Sequence, residues 1–152
     1  MELSDFISQD HVRCDVQANS KKRVLEQLSE LIAENQNQIN SHEVFNSLLT
    51  RERLGSTGIG HGIAIPHGRI KHCTAAIGAF IKLDEGVDFD TPDNQPVDML
   101  FALVVPEEST DEHLQILSLL ASMFKDESFR ETLRQCKDKD AIFQQLISWK
   151  KT

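Results

Sequence analysis

The stretch GIGHGIAIPHGRI, residues 58–70, spaces glycines through a turn-like segment, runs into three apolar residues, and then sets a histidine between a proline and a glycine. With the residues before it, the glycines form GSTGIGHG (55–62), which invites a nucleotide-binding reading. The dinucleotide fingerprint needs a strand before its glycines and a helix after them. Here a helical pattern precedes, and IAIPHG, broken by Pro66, follows. A P-loop would need Gly-Lys-Ser/Thr, which this stretch lacks. Gly55, Gly58, Gly60 and Gly62 are therefore expected to supply a turn with positive φ angles. IAI (63–65) is expected to be a short buried strand.

Working outward from that strand, the apolar pattern divides the chain into helices, a sheet, and helices again. HVRCDVQA (11–18) alternates Val12, Cys14 and Val16 with polar residues, as a half-buried strand does. Ser20 is placed to cap a helix to about Asn35, with Val24, Leu25, Leu28, Leu31 and Ile32 on one face. A second helix, beginning after Ser41, carries Val44, Phe45, Leu48 and Leu49 and is expected to stop at Gly55 as a left-handed C-cap. AIGAFIKL (76–83) and VDMLFALVV (97–105) read as strands, the latter continuously apolar like a central strand. SxxE at 109–112 predicts a capping box for a helix with Leu114, Leu117, Ala121 and Phe124 on one face. Further helices are expected from near Asp126, with Phe129 and Leu133, and after Asp138, with Ile142, Leu146 and Trp149. The fold class is α/β: an α/β sandwich with a central mixed β-sheet flanked by helices. The sheet is expected to be mixed because 84–96 holds no crossover helix.

With 152 residues, 39% of them hydrophobic, and no repeat or linker, the chain reads as a single domain, 1–152. The formal net charge of -8 argues against nucleic-acid binding and against docking on anionic membranes. MELSDFISQD lacks the basic and apolar regions of a secretory signal, and no apolar run approaches the roughly 20 residues that span a bilayer. Cys14, Cys73 and Cys136, odd in number and widely spaced, read as reduced thiols of a cytoplasmic protein.

His11 and His42 read as ordinary surface residues. His61, His67, His72 and Cys73 match no usual zinc spacing, so no metal is expected. His67 stands apart through its frame. Pro66 fixes φ and is expected to lead the chain out of the sheet, and Gly68 to keep the space beside the ring open. An imidazole held rigidly at a strand exit suits a nucleophile, because neutral imidazole is nucleophilic near neutral pH. A packed or turn role for His67 is the alternative on residue chemistry alone. No G-x-S-x-G elbow accompanies Ser56 and Thr57, so a hydrolase triad is disfavoured.

The run TRERLGSTGIGHGIAIPHGRI (50–70), followed by DNQPVDMLFALVVP (93–106) and HLQILSLLA (113–121), closely resembles the type 2 enzyme IIA domains of the bacterial phosphoenolpyruvate-dependent phosphotransferase system. The resemblance is to the fructose/mannitol class and, within it, to the nitrogen-regulatory enzyme IIA proteins. It spans nearly the whole chain, and the three segments in this order are far more specific than any glycine spacing.

The resemblance implies an α/β sandwich and a phosphohistidine at His67, reached through Nε2. The implied donor is a small histidine phosphocarrier, itself charged by an enzyme I. Arg51 would hold phosphoryl oxygens in its planar fork, and His113, in a first helical turn, would donate to the phosphoryl group. Gly62, Ser56 and Thr57 are further candidates for phosphoryl binding. Arg51 as a helix-end charge and His113 as a plain first-turn residue remain the bland alternatives. Arg69 stands where Lys is common. His61 stands where Asn is expected and adds a third histidine near the site. No cofactor is implied. The end of the chain at Thr152, without a fused IIB or membrane domain, reads as favouring a stand-alone regulator. Its implied targets include potassium-transport and sensor proteins. A sugar-specific transport enzyme IIA serving a separate IIB, and a binding module that takes no phosphate, are the alternatives.

Overall fold

The computed structural model describes residues 2–150. Its centre is β6 (Val97–Pro106), buried from Val97 to Val105 apart from half-buried Asp98. β5 (Ile77–Val87) pairs antiparallel with it through the loop 88–96, which contains no helix. β1 (Val12–Val16) adds parallel to β5 at one edge. On the other side of β6, β3 (Ile63–Ala64) pairs parallel with its first half, and β4 (His67–Ile70) pairs parallel with its second. β2 (Gly58–Gly60) lies antiparallel to β3. The sheet is mixed, as the helix-free loop required.

Alternation along β6 builds two cores. Met99, Phe101, Leu103 and Val105 face one layer. That layer holds α3 (Asp111–Lys125), α4 (Glu127–Gln135) and α5 (Lys139–Ser148). Leu100, Ala102 and Val104 face the other layer, α1 (Lys21–Ala33) and α2 (Ser41–Leu54). Each fully buried Leu, Val or Phe contributes about 1.5–3 kcal/mol through loss of apolar surface from water. Polar clamps hold the α3 layer together and fix it to the sheet. Buried Arg130 donates to the carbonyls of Phe124 (2.8 Å) and Lys125 (3.0 Å) at the end of α3. Lys82 of β5 donates to those of Leu133, Arg134 and Cys136 at the end of α4.

Several local expectations are corrected. Asn40, not Ser41, caps α2, because its side chain accepts from the amides of His42 (2.7 Å) and Glu43 (3.3 Å). Gly55 ends α2 with φ 157° and ψ 149°, outside the left-handed helical region. The expected capping box of α3 is absent: Thr110 takes the cap position and its side chain makes no cap bond. The buried face of α3 is His113, Ile116, Leu120, Met123 and Phe124, and Leu114 is exposed. His11 is buried at the end of a short 3-10 turn, with its ring 3.4 Å from the Glu34 carbonyl. Leu3, Phe6 and Ile7, earlier in the chain, are part of the α3-side core.

Candidate active site

α2 and β4 run side by side in opposite directions, and two contacts set their register. Glu43 accepts from the amide of Lys71 at 3.1 Å. One turn later, the Ser47 hydroxyl donates to the Arg69 carbonyl at 2.8 Å. Arg51 is the next residue on that helical face, a further turn along, and so falls level with His67. The close fit explains Gly68. A Cβ there would stand 2.1 Å from Ser47 Oγ, so this glycine makes room for α2 and not for the imidazole.

His67 does not stand where the chain leaves the sheet. Pro66 lies between two strands that both pair with β6, and its carbonyl accepts from Leu103 N at 2.9 Å. Pairing keeps its register across Pro66, so Ile63, Ile65 and His67 share one face. His67 lies opposite Leu103, on the α3 side, half-buried. Its Nδ1 lies 2.9 Å from the Ile65 carbonyl. A carbonyl only accepts, so Nδ1 carries the proton and Nε2 keeps the lone pair. Burial pushes the His67 pKa below the usual imidazole value, and the Arg51 charge adds to this. The Ile65 hydrogen bond and Glu52 oppose it. The ring is neutral at neutral pH.

His113 comes to the same place from the other layer. It lies in the first turn of α3, points inward, and its ring packs edge-on against His67 with centroids 5.4 Å apart. It is 8% exposed, and its Nε2 is buried without a hydrogen-bond partner. An unpartnered buried nitrogen is costly to keep, and here it belongs to the ring that packs against His67. Burial lowers the His113 pKa, helped by His67 and Arg69. With no side chain on the amides that open α3, this corner collects hydrogen-bond donors and partial positive charge. Arg51 adds a full charge while one of its nitrogens holds the Gly55 carbonyl at 2.8 Å.

The remaining candidates take other positions. The Ser56 hydroxyl donates to the Phe89 carbonyl at 2.6 Å and accepts from Gly58 N. The Thr57 hydroxyl donates to Glu52 at 2.5 Å. Gly62 has φ 80°, and its carbonyl accepts from the amides of Asp98 and Met99. Met99 is four positions before Leu103 on β6, so Gly62 lies roughly 13 Å along the sheet from His67. His61 shares that far end: its amide donates to Asp93 and its carbonyl accepts from Arg134. It is therefore not a third histidine of the site. Of the four glycines read as one turn, Gly58 and Gly60 lie in β2; Gly60 keeps a positive φ of 93°, while Gly58 does not, and a Cβ there would meet Thr91 at 2.2 Å.

Glu52 escaped the sequence reading. Its signal was there: Val44, Leu48 and Glu52 repeat at four-residue spacing, which puts a carboxylate in the buried stripe of α2. It is 6% exposed and accepts from Thr57 N at 2.8 Å and from Lys21 Nζ at 3.2 Å.

The corner thus brings together an imidazole with a free Nε2, a second imidazole, an arginine and a helix start. The chain is 45% identical to a nitrogen regulatory protein of Klebsiella oxytoca over 95% of its length and 89% of the relative's. It is 41% identical to one of Pseudomonas aeruginosa, covering 97% and 96% of the two chains. The crystal structure of nitrogen regulatory protein IIA-Ntr from Neisseria meningitidis superposes with a TM-score of 0.88 at 41% identity, over 95% of this chain and 98% of that one. Residues 5–149 match the family described as phosphoenolpyruvate-dependent sugar phosphotransferase system, EIIA 2, and the chain belongs to that family.

Proposed function

We propose that the protein accepts a phosphoryl group on Nε2 of His67 from a histidine phosphocarrier and acts as a regulator through its phosphorylation state. The observation that carries this reading is the Nδ1 hydrogen bond to Ile65, which commits one ring nitrogen and leaves Nε2 free beside His113. The Nε2 lone pair attacks the phosphorus of the donor's phosphohistidine. The donor's P–N bond breaks and its electron pair returns to the donor imidazole. The transition state is loose and in line, so the site has mainly to position groups and neutralise charge. Arg51 faces the equatorial oxygens, and His113, protonated on Nε2, donates to one of them. As the new N–P bond forms, positive charge develops on the His67 ring. The Ile65 carbonyl and the Glu52 carboxylate offset it.

A phosphate of charge about -2 in this corner remakes the surface that a partner meets. The relatives' names support a nitrogen-regulatory role over a sugar-transport one. Potassium-transport and sensor proteins, met in the cytoplasm, are the targets we propose. No helix among the described residues is long and apolar enough to cross a membrane. The test is intact-mass spectrometry after incubation with phosphoenolpyruvate, enzyme I and the histidine phosphocarrier. One acid-labile phosphate on the wild type and none on His67→Ala is the expected result. Phosphate on His67→Ala, or none on a folded wild type with active donors, overturns it.

A further inference from the structure

Arg51 leans on its neighbour. α2 ends three residues after it, at Leu54, and a helix end frays unless something ties it down. Glu52 is that tie. Its two carboxylate oxygens hold the amide and the hydroxyl of Thr57, at 2.8 and 2.5 Å, so the last turn of α2 is fixed to the strand that enters the sheet. The carboxylate is 3% exposed, and Lys21 of α1 lies 3.2 Å from it. The same ammonium sits 4.8 Å over the Phe89 ring and 3.2 Å from Asp90. A buried carboxylate persists only when its lone pairs are met and its charge is matched. Here two Thr57 donors and one ammonium do so, which makes the anchor stiff. Packing alone would be served by Met or Leu at position 52. A charge was placed there instead, one residue from the arginine of the site.

We propose that Glu52 is a positioning residue for phosphoryl transfer: by clamping Thr57 it sets the direction in which Arg51 presents its guanidinium at His67. The inference rests on His67 being the phosphoryl acceptor. It also gives Thr57 a place in the site, as the partner of Glu52. The groups that bear on the two imidazoles are Arg51 and Glu52 from α2, His113 from α3, and Arg69 from β4. Of these Glu52 supplies the negative charge that favours a cationic His67, the form approached as the N–P bond develops.

The experiment uses the full chain with Glu52→Gln, which keeps the shape and removes the charge. Two readings are taken: steady-state phosphorylation by the phosphocarrier, and the His67 titration midpoint in the free protein by nitrogen-detected NMR. The expected result is a kcat about tenfold lower with KM for the donor unchanged, and a His67 midpoint below that of the wild type. A purely structural role would leave the midpoint where it is. A folded Glu52→Gln protein with wild-type kcat, or with an unmoved midpoint, overturns the proposal. Should Glu52→Gln fail to fold, Thr57→Val removes one bond of the clamp and keeps the charge. A kcat about threefold lower is then expected, and an unchanged kcat overturns the clamp. If the wild type takes no phosphate from active donors while the midpoint still moves in Glu52→Gln, the phosphoryl reading has failed and the placement of Glu52 has not.

Discussion

The two ends of β6 carry similar residues put to opposite uses. At its start, Arg134 donates to both oxygens of Asp98, at 3.2 and 3.0 Å, and to the His61 carbonyl at 2.6 Å. Gly62 lies against that pair, where a Cβ would be 2.4 Å from the guanidinium. Toward its end, level with Leu103, stand Arg51, His67 and His113, with one Nε2 free and the other buried without a partner. Each end has an arginine, a histidine and a tight glycine. At the first, charge meets charge and hydrogen bonds are made within the protein. At the second, Nε2 of His113 is buried with no partner among the described residues, and the only hydrogen bond given for the His67 ring is at Nδ1. Residue type does not separate structure from chemistry here. The state of the hydrogen bonds does.

The contrast can be broken most sharply at the arginines. After the complete loss expected for His67→Ala, the next largest effect is that of Arg51→Ala, a fall in kcat of about 100-fold with thermal stability nearly unchanged. Arg134→Ala should do the reverse. Its kcat should stay within about twofold of wild type while stability falls by about 1–3 kcal/mol, because Asp98 and the His61 carbonyl lose their donor. Denaturant melts and steady-state phosphorylation of the two variants check both halves. A kcat loss in Arg134→Ala equal to that in Arg51→Ala would erase the distinction between the ends.

Gly62→Ala sharpens the structural end. At φ 80° an added Cβ is strained and also strikes Arg134 and Asp98, so about 1–3 kcal/mol of stability should be lost in a urea melt. A smaller effect comes from pH. The pKa values of His67 and His113 are both lowered in the folded chain. As pH falls below about 6.5, the unfolded chain takes up protons that the folded chain refuses. Stability should therefore decline below that pH and be level above it with respect to these groups. In a His67→Gln, His113→Gln double variant the decline should be shallower, as read from melts between pH 7 and 5.

Much of this was legible in the residues. The α/β class, the strand at 97–105 and the helix after Ser20 follow from period and caps, since local pattern and burial agree there. What stayed hidden depended on which face is inside. The face of α3 was read one residue off because His113 takes an inward position that hydropathy assigns to Leu114. β4 went unseen because Pro66 looked like a terminator, and only the parallel register with β6 shows that pairing continues past it. The roles of Gly58 and Gly68 depend on Thr91 and Ser47, far away in sequence. His67, His113 and Arg51 were singled out through a family likeness. Residue chemistry alone left His67 between a nucleophile and a turn residue. The Glu52 clamp was present only as a carboxylate in an apolar stripe.

The central claim is that Nε2 of His67 is the atom made available, with Nδ1 held by Ile65. Long-range 15N–31P correlation on the phosphorylated, 15N-labelled protein tests it directly. If the claim holds, phosphorus couples to Nε2 of His67 and Nδ1 of the same ring still bears its proton. Coupling at Nδ1, or phosphorus on His113 or any other residue, would contradict it.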